Sequence, residues 1–295
     1  MLAHDFTTLF FPGECTCCDG PLLHAGSVPV CSACLDRVTS DKLFGCTRCG
    51  DALNLDLDLE DIRFAGLLAE GILCRECRLA PPAFERAVAY GTYRGELRTL
   101  LRMLKFSRMP GVAGLLGKRL AETIATLDHA AASELLVVAV PLFSQRERQR
   151  GFNQSVLLAE RALGHLRHSH PGWKLEPRHG LLQRQRSTHT QFLLGARDRR
   201  RNLRGAFGVN GEVRGREVLL VDDILTTGAT ARECARVLVA AGATKVWVVT
   251  LARAQREFLR RQHEDPGEYV AAWDLSAPAV DSLASAADSS ASTVH

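Results

Sequence analysis

The sequence predicts an α/β chain, a doubly wound and mostly parallel sheet, preceded by a small cysteine-rich module. Three observations carry the prediction. Between residues 84 and 253, short continuous apolar runs alternate with helix-period stretches, as expected of strands buried on both faces of a parallel sheet. Nine of the ten cysteines lie between residues 10 and 80, where sustained hydrophobic periodicity is lacking, so apolar packing alone cannot hold that segment. The apolar run at 218–221 delivers two adjacent acids into a Thr/Gly loop that opens a helix.

The elements follow in order. Leu97, Leu100, Leu101 and Leu104 fall at i, i+3, i+4 and i+7, one face of a helix. A second helix is expected over 112–127. LLVVAV (135–140) is a buried strand stopped by Pro141. A helix over 154–166 leads to the strand VLLV (218–221), a helix over 230–241 closed by Gly242, and the strand KVWVVTL (245–251). Ligands of such sheets bind outside the carboxyl ends of the strands. The chain divides by composition into a cysteine module (10–80), an α/β domain (84–253) and a charged extension with a tail (254–295). The last part ends in SAPAVDSLASAADSSASTVH, a low-complexity run expected to be disordered. There is no internal repeat.

The charge excludes little by its sum, +4, but much by its placement. Between Pro141 and Arg204 fourteen Lys and Arg face four acids. That excess suits a polyanion such as a pyrophosphate or a nucleic acid backbone, although many such runs are only solvated surface. No apolar stretch is long enough for a membrane span. The N-terminal MLAHDFTTLFFPGEC lacks a basic start, so no export signal is read and the reducing cytoplasm is the expected compartment.

The run Val218-Leu-Leu-Val-Asp-Asp-Ile-Leu-Thr-Thr-Gly-Ala-Thr230 is the most informative. It places Asp222 and Asp223 at a strand end outside the core, then Thr226, Thr227, Gly228, Ala229 and Thr230 at a helix N-terminus. Unpaired N–H groups, hydroxyls and a glycine that admits close backbone approach make an anion site. Each half alone serves commonly as a turn or helix cap; joined, they do not. GVAGLLGK (111–118) is no Walker loop, because its glycines are misspaced and Arg119 stands where Ser or Thr belongs. After the strand 135–140, Arg146, Arg150 and the Gly151 backbone are candidates to clamp a second anion, with a structural loop clamp the competing reading for Arg150 and Asn153. The polar, basic segment from Leu182 to Asn202, which contains His189, suits a mobile lid.

Cys15/Cys18, Cys31/Cys34, Cys46/Cys49 and Cys74/Cys77 form four C-x₂-C knuckles, enough thiolates for two tetrahedral Zn²⁺ sites. Sequential grouping, 15/18/31/34 with 46/49/74/77, is favoured over a crossed one. Cys17 is spare. Cys234 sits on an apolar helix face and reads as core.

These residues together resemble a known family. VDD-x-x-TTG-x-T resembles the PRPP-binding motif of type I phosphoribosyltransferases. PVPL is part of the same likeness, followed by RGFNQ with an upstream arginine, Thr-x-x-Gln, R-x₄-N-x₃-AF and a closing LAR. With these additions the chain is similar to the ComF/ComFC family over about residues 10–253. The resemblance implies a type I phosphoribosyltransferase fold behind a double zinc ribbon. It implies a Mg²⁺–PRPP site in which Asp222 and Asp223 meet the ribose hydroxyls and the Thr/Gly loop meets the 5′-phosphate. A role in natural transformation, with single-stranded DNA and other competence proteins as partners, is implied as well. Two functions follow as expectations: phosphoribosyl transfer to an unidentified acceptor, or non-catalytic single-stranded DNA binding on the same fold. No general base for a named reaction stands out.

Overall fold

The computed structural model describes residues 13–22, 28–40, 45–53, 71–106, 109, 111–186 and 202–255, with the side chains of 145 and 146 excepted. Of the lid expected over 182–202, residues 187–201 lie outside the described residues, as does the tail after 255, whereas Leu182–Arg184 form a strand rather than part of a lid. Residues 1–256 form one compact unit.

Two short helices follow cysteine knuckles, α1 (Ser32–Asp36) and α2 (Arg75–Leu79). Then come β1 (Arg86–Thr92), α3 (Gly95–Phe106), α4 (Val112–Ala125), β2 (Glu134–Ala139), α5 (Ser144–Arg150), α6 (Gln154–Ser169) and β3 (Lys174–Pro177). The chain closes with β4 (Leu182–Arg184), β5 (Phe207–Val209), β6 (Glu217–Leu225), α7 (Ala229–Ala240) and β7 (Lys245–Arg253). The main sheet has the order β1-β7-β6-β2-β3 and every neighbouring pair is parallel. β4 and β5 form a separate antiparallel pair on either side of residues 187–201.

The apolar runs become the central strands because only there are both faces covered. Leu136↔Val218 and Leu219↔Trp247 are in register. Alternation sends Val218 and Leu220 to one face, where Ala231, Cys234, Ala235 and Leu238 of α7 meet them with Leu181, Leu182 and Phe207. Leu219 and Val221 turn to the opposite face, over which α4 and α6 lie together. Gly117 is what lets those two helices approach: a Cβ there would stand 2.3 Å from the Arg161 Cβ. This is the role of a glycine in the stretch that superficially resembles a Walker loop.

Three features differ from expectation. β1 and β3 are strands that no apolar run announces. Both are edges, and β3 shows no buried position. The segment after β2 is a two-turn helix, α5, rather than a loop. β6 runs on to Leu225 because β7 pairs with it through Leu225↔Arg253, although β2 stops at Ala139↔Val221.

β2 leads through α5 and α6 to β3 on one side, whereas β6 leads through α7 to β7 on the other. Adjacent strands whose connections leave in opposite directions define the switch point of a doubly wound sheet, where a crevice opens. Both basic and acidic motifs converge on it.

Candidate anion site at the switch point

The β2 side is built around Asn153. Its Nδ2 donates to the Val140 carbonyl at 3.1 Å and its Oδ1 accepts from the Ser155 amide at 2.9 Å, capping α6 and tying it to the strand end. Gly151, at φ 81°, turns the chain out of α5. Arg150 donates to Gln154 Oε1 at 2.8 Å and lies 5.5 Å over the Phe106 ring at the end of α3. Arg146 lies in α5 with its side chain outside the described residues.

On the β6 side the two acids do not act alike. The sequence places both outside the core; the structure buries Asp223 to 4% exposure and pairs it with Lys105 Nζ at 2.7 Å. Adjacent strand residues face opposite sides, so Asp223 turns toward α3. Asp222 turns to the other side and stays partly exposed at the crevice. Its Oδ1 accepts from Ser155 Oγ at 3.1 Å and from the Asp223 amide at 2.9 Å. Burial first, and the Asp223 charge second, push the Asp222 carboxyl up to about 7, against the relief given by the Asp223 amide, Lys105 and Ser155.

Beyond the acids, Gly228 adopts φ 74° and precedes the first turn of α7. Thr227 Oγ1 accepts from the Ala229 amide at 3.4 Å. Thr226, Thr227 and Thr230 are half-buried, while Gly228 and Ala229 are buried. The loop carbonyls are held elsewhere: Arg253 Nη1 donates to Leu225 O at 3.1 Å and to Thr226 O. Past Ala229, the first amides of α7 have no intrahelical carbonyl to take, the arrangement on which helix N-termini receive anions.

Sequence reasoning missed Lys105, Ser155 and Arg253 as parts of this site. Lys105 falls four residues after Leu101 on the apolar helix face, a position where a lysine needs a buried partner.

The eight knuckle cysteines gather in the sequential grouping. In each of the groups Cys15/Cys18/Cys31/Cys34 and Cys46/Cys49/Cys74/Cys77 the sulfurs lie within 4.8 Å of one another, and all are free of disulfides. Four converging thiols fit a tetrahedral zinc ion, so two four-cysteine groups able to hold zinc are present. The thiols perturb one another as closely packed ionisable groups do. Cys46 is pushed down by hydrogen bonds from Cys49 and Cys77, and Cys77 is pushed up by the same kind of contact, with Cys46 first and Cys49 second. For Cys15 burial works upward, and the amides of Cys31, Cys17 and Cys18 outweigh it, leaving the thiol at about 6. Cys234 is buried and its thiol is raised, first by burial, as a core residue's should be.

Residues 182–275 match the phosphoribosyl transferase domain model. The DNA utilization protein YhgH of Escherichia coli O157:H7 is 35% identical over 83% of this chain and 99% of its own length. Its namesake from Salmonella typhimurium is 33% identical over the same shares. Competence protein F of Haemophilus influenzae is 29% identical, again over 83% of this chain and 99% of that protein. A parallel sheet with a Thr/Gly loop at its switch point, two four-cysteine groups before it and relatives matched over nearly their full length lead to one conclusion: the chain belongs to the ComF family of competence-associated, phosphoribosyltransferase-like proteins.

Proposed function

We propose that the crevice between β2 and β6 binds PRPP as its magnesium complex and transfers the phosphoribosyl group to an acceptor in DNA uptake or utilisation on the cytoplasmic side. The carrying observation is the loop 226–230, with the Thr226 carbonyl and that of Leu225 before it drawn to Arg253 and its later amides at the α7 N-terminus, beside Asp222. The 5′-phosphate would take those amides and the threonine hydroxyls. Asp222, and through its ion pair Asp223, would orient the ribose hydroxyls and steady the positive charge that builds at C1. Pyrophosphate leaves with the C1–O electron pair as the acceptor's lone pair closes on C1. Arg146 and Arg150 would donate to the departing pyrophosphate and offset its charge; the Gly151 amide, expected from the sequence to join them, is instead spent on the Glu147 carbonyl at 2.8 Å, closing α5. Calorimetric titration with Mg²⁺–PRPP tests the reading. Wild type should bind, Asp222→Asn should bind at least about tenfold more weakly, roughly the loss of a hydrogen bond to a charged group, and Thr227→Ala should lose less. A wild type without affinity, or Asp222→Asn indistinguishable from it, ends the reading.

The relatives' names, DNA utilization protein and competence protein, favour a second reading in which the fold carries single-stranded DNA without catalysis. Part of the basic segment is taken up in surface pairs such as Arg178–Glu176, so the remainder would follow the phosphates. Binding of a mixed-sequence single strand should then fall steeply as salt rises; binding indifferent to salt rejects it.

A further inference from the structure

The second cysteine group grips the phosphate loop from both ends. At the leading end, the guanidinium that holds the Leu225 and Thr226 carbonyls also places Nη2 3.2 Å from Asp51 Oδ1. Arg253 and Asp51 are 5% and 2% exposed, so this bridge is shielded from water. Asp51 stands two residues beyond Cys49, and its own carbonyl accepts the Cys46 amide at 2.8 Å. Its position is therefore set by the knuckle turn. At the trailing end, Arg232 in the first turn of α7 donates to the Ala80 carbonyl at 2.6 Å and to Cys77 Sγ at 3.5 Å. Gln255, two residues beyond β7, accepts from the Ala52 amide at 2.8 Å.

The first group is attached elsewhere. Arg37, which donates to Cys34 Sγ, pairs with Glu96 on α3 at 2.6 Å, and the Tyr90 hydroxyl of β1 donates to the Val38 carbonyl. The cysteines of the second group, by contrast, belong to the same core as Val246, Val248, Ala231 and Cys234.

A phosphate loop works only while its amides face the ligand and its carbonyls are turned away and satisfied, since a buried carbonyl without a donor is costly. A guanidinium suits the task, because its planar fork serves carbonyls along one edge and a carboxylate along another. The fork is only as fixed as the carboxylate that anchors it. We infer that Asp51 and Arg253 are positioning residues of the phosphate loop. The second four-cysteine group is then the support that, through them and Arg232, keeps the loop carbonyls out of the anion site. The inference rests on reading the loop as a phosphate site. Four thiolates gathered on a metal fix the turn 46–51 and with it Asp51. When the thiolates are not gathered, Asp51 is released, Arg253 loses its anchor, and the Thr226 carbonyl is free to turn toward the bound phosphate.

The test uses the full chain and two readouts, amide exchange over 225–232 and calorimetry with Mg²⁺–PRPP. Asp51→Ala should keep the wild-type zinc content, measured by colorimetric chelation, and leave exchange in α4 and α6 unchanged. It should speed exchange over 225–232 and weaken PRPP binding, each by at least about tenfold, as expected when one partner of a shielded ion pair is removed. Asp51→Asn keeps an oxygen acceptor and should recover most of both losses. Arg37→Ala, at the attachment of the first group, should match wild type in both. If Asp51→Ala does not fold, Arg232→Met on the half-buried side of α7 carries the same expectation. Loop exchange and affinity unchanged in the variant that folds overturn the inference. Faster loop exchange in a protein whose wild type binds no PRPP keeps the coupling and removes the phosphate reading. Tight binding in wild type and variant alike removes the coupling and keeps the phosphate reading.

Discussion

Asp222 faces neutral donors at the crevice, whereas its neighbour Asp223 lies against the Lys105 ammonium. The difference gives each acid its own expected behaviour. The Asp222 carboxyl, raised to about 7 by burial and then by Asp223, holds its proton more tightly folded than unfolded. Wild type should therefore lose stability as pH climbs from about 4 to about 7, at roughly 1.4 kcal/mol per unit before discounting for its partial exposure. Asp222→Asn escapes that loss. It should melt above wild type at about pH 8 and level with it near about pH 3.5, in thermal scans at the two pH values. Lys105→Met strands a buried carboxylate and should cost about 3–5 kcal/mol in urea denaturation; adding Asp223→Asn should return part of it. These two residues also mark where the sequence stops being legible. The motif announces an acidic pair, but which acid meets the crevice depends on the strand continuing past its β2 neighbour. That continuation is decided by the β7 pairing and not by any local signal.

Among the elements, those whose faces are both covered are legible, since burial writes a continuous apolar run into β2, β6 and β7. β1 reads as RAVAYGT with mixed burial and β3 as KLEP with none, because an edge strand needs only one good face or none. α5 is equally silent: SQRERQR has no apolar stripe to betray a helix. The helix pair α4/α6 shows a different kind of information, carried by the absence of a side chain. Gly117→Ala would drive a methyl into the Arg161 Cβ and the Arg161–Ala162 backbone, and should cost about 1–3 kcal/mol as overpacking does. Gly114→Ala, in the same helix with nothing within 4 Å, should instead gain about 0.5–1 kcal/mol. Denaturant midpoints of the two variants, compared side by side, check the assignment; equal effects refute it.

For the molecule as a whole, metal analysis should return two zinc equivalents per chain, one for each group of four cysteines, and Cys46→Ser should lose one. Because Cys46 shares the core beneath α7, that loss should lower the melting temperature of the whole compact unit, whereas Cys15→Ser should lose its zinc and spare the sheet. A single equivalent in wild type defeats the two-site assignment. The sheet order has a further consequence, for the sequence of events as the chain is made. Among the described strands, β1, the earliest of the sheet, pairs only with β7, the latest, so well over a hundred residues must be synthesised before its partner exists. At ordinary translation speeds of about 5–20 residues per second, β1 waits on the order of ten seconds or more with the edge that β7 will take left open. The knuckles Cys15–Cys34, being local, can close on metal while β1 waits. Each new chain therefore passes through an interval in which its first cysteine group is closed and its sheet cannot be, and a ribosome stalled before residue 245 would leave an open strand edge exposed to its neighbours.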